Sequence, residues 1–207
     1  MPSDAPIGAV LLAGLLTFLT GAVFWKPALY QQALPQALAA MAKDAPRLRW
    51  IQSWMFVGVV TTTVGVSLLA HRIDLDGERV WSTVGAACFA LGAPLMLVAL
   101  AFGLAVRPWA AEETVATGEV PRGYEAFDRF AGLLMAGHMV TEYASWAFLG
   151  AALLQTGTVP AWLGWSGVGA GSLFAVGFVT LRGGPFAPPF LAHVYPAVVG
   201  IVLLLRV

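Results

Sequence analysis

The apolar positions of this chain come in long unbroken blocks, with no alternation of apolar and polar residues. Six blocks stand out: Ile7–Trp25, Ile51–Ala70, Val84–Val106, Phe130–Leu154, Ala161–Leu181 and Phe186–Leu205. A helix crossing a hydrocarbon core of about 30 Å needs about 20 apolar residues. Lipid offers no hydrogen-bond partner to an exposed backbone, so continuous runs of this length predict helices and not strands. The expected fold class is all-α. It is a polytopic transmembrane helical bundle of six spans, one domain over residues 1–207.

The connections differ in kind. Between the first two blocks, Tyr30, Leu34, Leu38 and Met41 recur at helical spacing and Pro35 suits a first helical turn. This predicts a short amphipathic helix lying at the membrane interface after the first span. The second connection, around His71–Arg79, is brief and mixed in charge. Arg107–Arg129 is the longest acidic stretch, with Glu112, Glu113, Glu119, Glu125 and Asp128. Gln155–Pro160 carries no charge, and Arg182–Pro185 reads as a tight turn.

Lysine and arginine orient the bundle. With the N-terminus outside, the inner connections hold Lys26, Lys43, Arg47, Arg49, Arg107, Arg122, Arg129 and Arg182. Only Arg72, Arg79 and Arg206 fall on the outer side. The excess of positive charge on inner loops therefore predicts both termini outside. The abundance of Ala, Gly and Val, with arginine far ahead of lysine, suggests a bacterial source and a place in the plasma (inner) membrane.

Composition agrees with a lipid solvent. Hydrophobic residues make up 59% of the 207 and charged residues 11%, against about 25% in soluble domains. Eleven basic residues balance eleven acidic ones, which leaves no electrostatic footprint for nucleic acid. One cysteine, Cys88, excludes an internal disulfide framework. No glycine-rich phosphate loop or His-Glu-x-x-His zinc motif is present. The expected partners are the bilayer and either other membrane subunits or a second copy of the chain.

Gly164, Gly167, Gly171 and Ala175 recur every three or four residues in the fifth block, a spacing that lets helix backbones approach closely. Such a face serves packing within the chain or a homodimer. Pro94 and Pro196 fall inside blocks and predict kinks or local breaks. Trp25, Trp50, Trp54, Trp81, Trp109 and Trp162 sit near block ends, as an aromatic belt does.

The chemistry concentrates in the fourth block. His138, Thr141, Glu142 and Ser145 fall at i, i+3, i+4 and i+7, on one helix face. Leu133, Val140, Ala144 and Phe148 make the opposite face apolar. A charged side chain at mid-membrane costs about 2.5–3.5 kcal/mol on insertion scales, so this stripe must face protein or water. The fourth and sixth spans run in the same direction. His138 lies eight residues into its block and His193 seven, so the two imidazoles share a depth. His71, beside Arg72 at the end of the second block, reads as interfacial.

Four functions fit this centre. The polar stripe joins helices by hydrogen bonds, as in a subunit of a larger membrane assembly. It forms a small-ligand or proton pathway through His138, Thr141, Glu142, Ser145 and His193. It holds a haem b axially between His138 and His193. Or it belongs to an intramembrane enzyme. The sequence favours a non-enzymatic protein of the first two kinds, with haem as the alternative and no catalytic residue assigned.

Two resemblances bear on this. Gly164-Trp165-Ser166-Gly167, Ala192-His193 with Gly200, and His138-x-x-x-Glu142 with Gly150 resemble fragments of the rhomboid intramembrane proteases. Rhomboids separate these motifs by an extra helix. Here they stand on consecutive spans, which puts Ser166 at a different depth from His193, whereas a serine and its base must be within hydrogen-bond reach. Ala13–Gly21, the helix after the first span and Val159–Gly171 resemble a group of uncharacterised six-helix bacterial integral membrane proteins, catalogued as a domain of unknown function. That resemblance implies a six-helix membrane fold and supplies no activity.

Overall fold

The structure, a computed structural model, describes residues 4–24, 32–181 and 187–206. Trp25, Lys26, Tyr30, Arg182, the turn to Pro185 and Phe186 lie outside these. Among the described residues there are seven helices and no strand: α1 (Ala5–Ala22), α2 (Leu34–Lys43), α3 (Ala45–Leu75), α4 (Val80–Thr117), α5 (Tyr124–Thr156), α6 (Ala161–Thr180) and α7 (Leu191–Leu205).

Four of them, α1, α3, α4 and α6, are long and apolar enough to cross a membrane. α5 and α7 fall short of that standard for different reasons. α5 is long, but its middle carries His138, Thr141, Glu142, Tyr143 and Ser145, which lower its hydropathy. α7 is apolar apart from His193 and the Tyr195 hydroxyl, but it is only 15 residues long. Both carry the polar centre.

Several helices exceed the apolar blocks that predict them. α3 starts at Ala45 and α4 runs on to Thr117, each helical well past its apolar run. Apolarity marks where a helix meets lipid; backbone hydrogen bonding continues into water as long as no residue breaks it. Gly118, in a left-handed conformation at φ 78°, ends α4 and its N–H returns to Thr114 O. Of the kinks or local breaks expected at Pro94 and Pro196, a break in the helix does not occur. α4 continues through Pro94 and Pro108, and α7 through Pro196.

The helices pack as a bundle in which chain neighbours are mostly spatial neighbours. α1 lies against α3 and α7, α3 against α4, α4 against α5, and α5 against α6. α7 also touches α3 and α5. α1 and α7 are antiparallel, since Gly8 meets Gly200 and Phe18 meets His193. One end of the bundle therefore holds the start of α1 and the end of α7. The other holds α2, whose Pro35 stands in the first turn as its sequence suggests. Its apolar face is not left for the bilayer. Ala37, Leu38 and Met41 are buried with Leu48, Ala110, Ala111 and Tyr124, against the extended ends of α3 to α5.

At the chain-terminal end a polar knot ties four segments. Arg72 reaches Asp4 at 2.8 Å and also pairs with Asp76. Asp76 accepts from Thr158 Oγ1 at 3.1 Å, and Arg206 donates to Thr158 O. The Arg72 hydrogen bond holds the Asp76 carboxyl below the usual carboxylate range.

Candidate functional site

The site is built where α5 and α7 run side by side. His138 Nδ1 lies 3.2 Å from Gly92 O of α4. A carbonyl only accepts, so this nitrogen carries the proton and donates. His193 Nδ1 lies 2.9 Å from Thr62 Oγ1 of α3. The Thr62 hydroxyl hydrogen already goes to Gly58 O at 3.0 Å, so His193 Nδ1 is also the donor. In a neutral ring that leaves each Nε2 as a bare acceptor. Neither Nε2 has a partner among the described residues.

Both imidazoles and Glu142 are wholly buried. The two rings lie 6.4 Å apart between centroids, tilted by 41°. The shared depth counted along the sequence thus brings them together. Glu142 Oε1 stands 3.3 Å from His138 Nδ1, one turn along the same helix. The Nδ1 hydrogen is aimed at Gly92 O, and the carboxyl oxygens find no hydrogen bond of good geometry among the described residues.

Two close helix approaches hold the centre. A Cβ on Gly92 would fall 2.9 Å from Glu142 Oε1 and would collide with Thr141 Oγ1. A Cβ on Gly14 would fall 2.9 Å from Thr62 N. Phe18 of α1 packs on the His193 ring at 4.3 Å between centroids. The groups that seat the histidines, the Thr62 hydroxyl, the Gly92 carbonyl and the Phe18 ring, come from three other helices.

The rest of the stripe behaves differently. Thr141 turns its hydroxyl back to Gly137 O and His138 O in its own helix, at 3.0 and 2.9 Å. Ser145 Oγ is buried without a partner among the described residues. Ser166 donates to Leu163 O of its own helix at 2.7 Å, so no hydrogen bond joins it to His193. Gly164, Gly167 and Gly171 face α5 and α7. Gly171 lies so close that a Cβ would fall 2.6 Å from Tyr143 O and from Ala147 N, and Gly167 meets the Tyr195 hydroxyl.

Beside the centre lies a cavity of about 540 Å³. Its walls include Met55, Met96 and Met135, with Gln52, Arg107 and Asp128 as the polar lining. Met135 stands three residues before His138, and Phe190, also in the wall, three before His193. The cavity therefore stops about one turn short of the imidazoles, at the side facing α2. The cavity is not bounded by α5 and α7 alone, because α1, α3 and α4 line it too.

Sequence reasoning missed Thr62, Gly92, Gln52 and Arg107. Gln52 and Thr62 do leave a signal, as polar residues inside an apolar block. Gly92 leaves none, because its contribution is a backbone carbonyl.

Among the described residues, no three His, Cys, Asp or Glu gather as a metal-ligand set. No family model matches the chain, and no curated protein or solved structure is similar to it at a significant level.

Proposed function

We propose that this chain is a six-span, non-enzymatic integral membrane protein that uses a buried His/Glu centre to carry a proton or a small ligand, alone or as a subunit of a larger membrane assembly. In this reading α5 and α7 complete the six spans, as in the uncharacterised six-helix bacterial proteins it resembles. Both termini face the outside of a bacterial inner membrane, and the α2 end with its lysines and arginines faces inward.

One observation carries the reading. Two imidazole Nε2 acceptors and a carboxyl group lie fully buried, a few ångströms apart, without protein hydrogen bonds among the described residues. An unpaired buried polar group costs about 1–3 kcal/mol, so a centre that served only to join helices would be expected to pair them. A proton, or the hydroxyl of a small ligand, satisfies an Nε2 acceptor. The cavity one turn away supplies access from the inward side, while the aromatic cluster of Tyr143, Trp146, Phe174 and Tyr195 lies on the other.

The test is proton flux in liposomes loaded with a pH-sensitive dye. The expected result is that the wild-type chain dissipates an imposed gradient faster than protein-free liposomes, and that Glu142→Gln returns the rate to theirs while keeping its helical spectrum. A fully active Glu142→Gln variant overturns the relay. A variant that loses only thermal stability assigns the centre to helix packing.

A second reading, haem b between His138 and His193, draws on the same geometry. Metal-binding histidines commonly hold one nitrogen in a hydrogen bond to a carbonyl or similar acceptor and present the other, as both do here. Against it, Phe18 is packed on the His193 ring and the cavity lies beside the pair, not between the rings. A red preparation whose Soret band disappears in His193→Ala would establish it; a colourless one removes it.

A further inference from the structure

The cavity has a chemical character of its own. Its volume of about 540 Å³ falls within the range of about 300–1,000 Å³ typical of small-molecule sites. Most of its wall is apolar. Three methionines, one each from α3, α4 and α5, supply flexible and polarisable surface that adapts to an occupant.

The polar lining is confined to the α2 end. Arg107 and Asp128 pair at 3.2 Å, so the charge they present is balanced. Gln52 is 3% exposed, and its amide is seated in a notch left by Gly103, where a Cβ would fall 2.9 Å from the Gln52 Cδ. A neutral amide and a compensated ion pair offer N–H donors without net charge. An anionic or cationic head would lose its hydration there and meet no opposite charge in excess. A carbonyl loses little and accepts from these donors.

Access is also visible. Gly132 of α5 lines the cavity and is itself exposed, and a Cβ placed on it meets nothing within 4 Å. The wall has no side chain at that point, between the exposed Phe130 and Leu133 of α5.

We propose that the cavity binds a neutral lipophile whose head group accepts hydrogen bonds, with a carbonyl seated on Gln52 and Arg107 and an apolar body against Met55, Met96 and Met135. This rests on the reading of the buried centre as a carrier only for its purpose; the binding stands on the cavity.

The test uses the full chain in lipid nanodiscs and three probes of one chain length: a decyl-substituted benzoquinone, decanoate and decylammonium. Bound probe is measured by equilibrium dialysis. The expected result is saturable binding of the benzoquinone, roughly tenfold tighter than either charged probe. Gly132→Phe, which fills the opening without meeting a neighbour at its Cβ, abolishes that binding. Gln52→Leu weakens it roughly fivefold, the loss of one hydrogen bond. Both variants are checked for unchanged melting temperature. Equal binding of all three probes, or benzoquinone binding that survives Gly132→Phe, overturns the proposal and marks the space as filled by bulk acyl chains. Loss of proton flux in Glu142→Gln with no preference among the probes would sink this inference alone. Selective binding with a fully active Glu142→Gln would sink only the relay.

Discussion

The two halves of α5 are built on opposite principles. From Tyr143 to Leu154 it meets α6 almost backbone to backbone. A Cβ on Gly150 would fall 2.6 Å from Gly164 O and 2.7 Å from Val168 N. Trp146 closes the same half, packing on Tyr195 at 5.6 Å between centroids and donating to Ala192 O at 3.2 Å. From Ala131 to Met135 the same helix borders the cavity walled by methionine. His138 and Glu142 sit at the change from one half to the other. A polar centre gains fixed geometry from the first half and an approach route from the second. Neither half alone would give both.

The largest expected effect breaks the close-packed half. Gly150→Val puts carbon against backbone atoms that cannot move aside. We expect a loss of more than about 3 kcal/mol of stability and little folded protein in detergent. Gly132→Ala, eighteen residues earlier on the same helix, should change the melting temperature by no more than about a degree or two, since its Cβ meets nothing. Equal tolerance of both would erase the distinction between the halves.

How much of this is legible in the sequence follows from what each part depends on. The helices are visible as apolar runs, and α2 as a Pro35 start with three- and four-residue spacing. The meeting of His138 and His193 comes from counting residues into two blocks. The face of α5 that is polar comes from the i, i+3, i+4 and i+7 spacing. Which helices turn toward that face does not, because it depends on the rotation of α3 and α4 about their own axes. Thr62 and Gly92 are therefore invisible as histidine partners. The cavity is invisible for a related reason: it is the space left where side chains fail to meet, and a linear pattern records only the side chains. The extents of α3 and α4 beyond their apolar runs escape hydropathy because it reports solvent and not backbone conformation.

Smaller effects sharpen the same contrast. Thr62→Val strands His193 Nδ1 in a buried site, at a cost of about 1–3 kcal/mol, measurable as a lowered unfolding midpoint. Trp146→Phe removes the bond to Ala192 O and should cost about 0.5–1.5 kcal/mol. Met135→Leu on the cavity side should stay under about 1.5 kcal/mol, because flexible wall residues exchange volume easily. A cost for Met135→Leu above that of Trp146→Phe would mean that the cavity half is the more rigid one.

The smallest effect lies at the chain-terminal knot. Asp76 has its pKa lowered by Arg72, so its contribution is fully present above the unfolded carboxylate value of about 3.9. It fades as pH falls through the lower folded value. Melting temperature followed from pH 5 toward pH 3 should decline less steeply in Asp76→Asn than in the wild-type chain. Parallel curves would remove Asp76 from the account.

That knot has a topological consequence. Asp4, Arg72, Asp76, Thr158 and Arg206 are joined by a run of ion pairs and hydrogen bonds. Four segments far apart in the sequence, beside α1, at the end of α3, between α5 and α6 and after α7, thus share one set of partners. Arg72 and Asp76 are the hub of that set, so a change at either loosens more than one helix end at once.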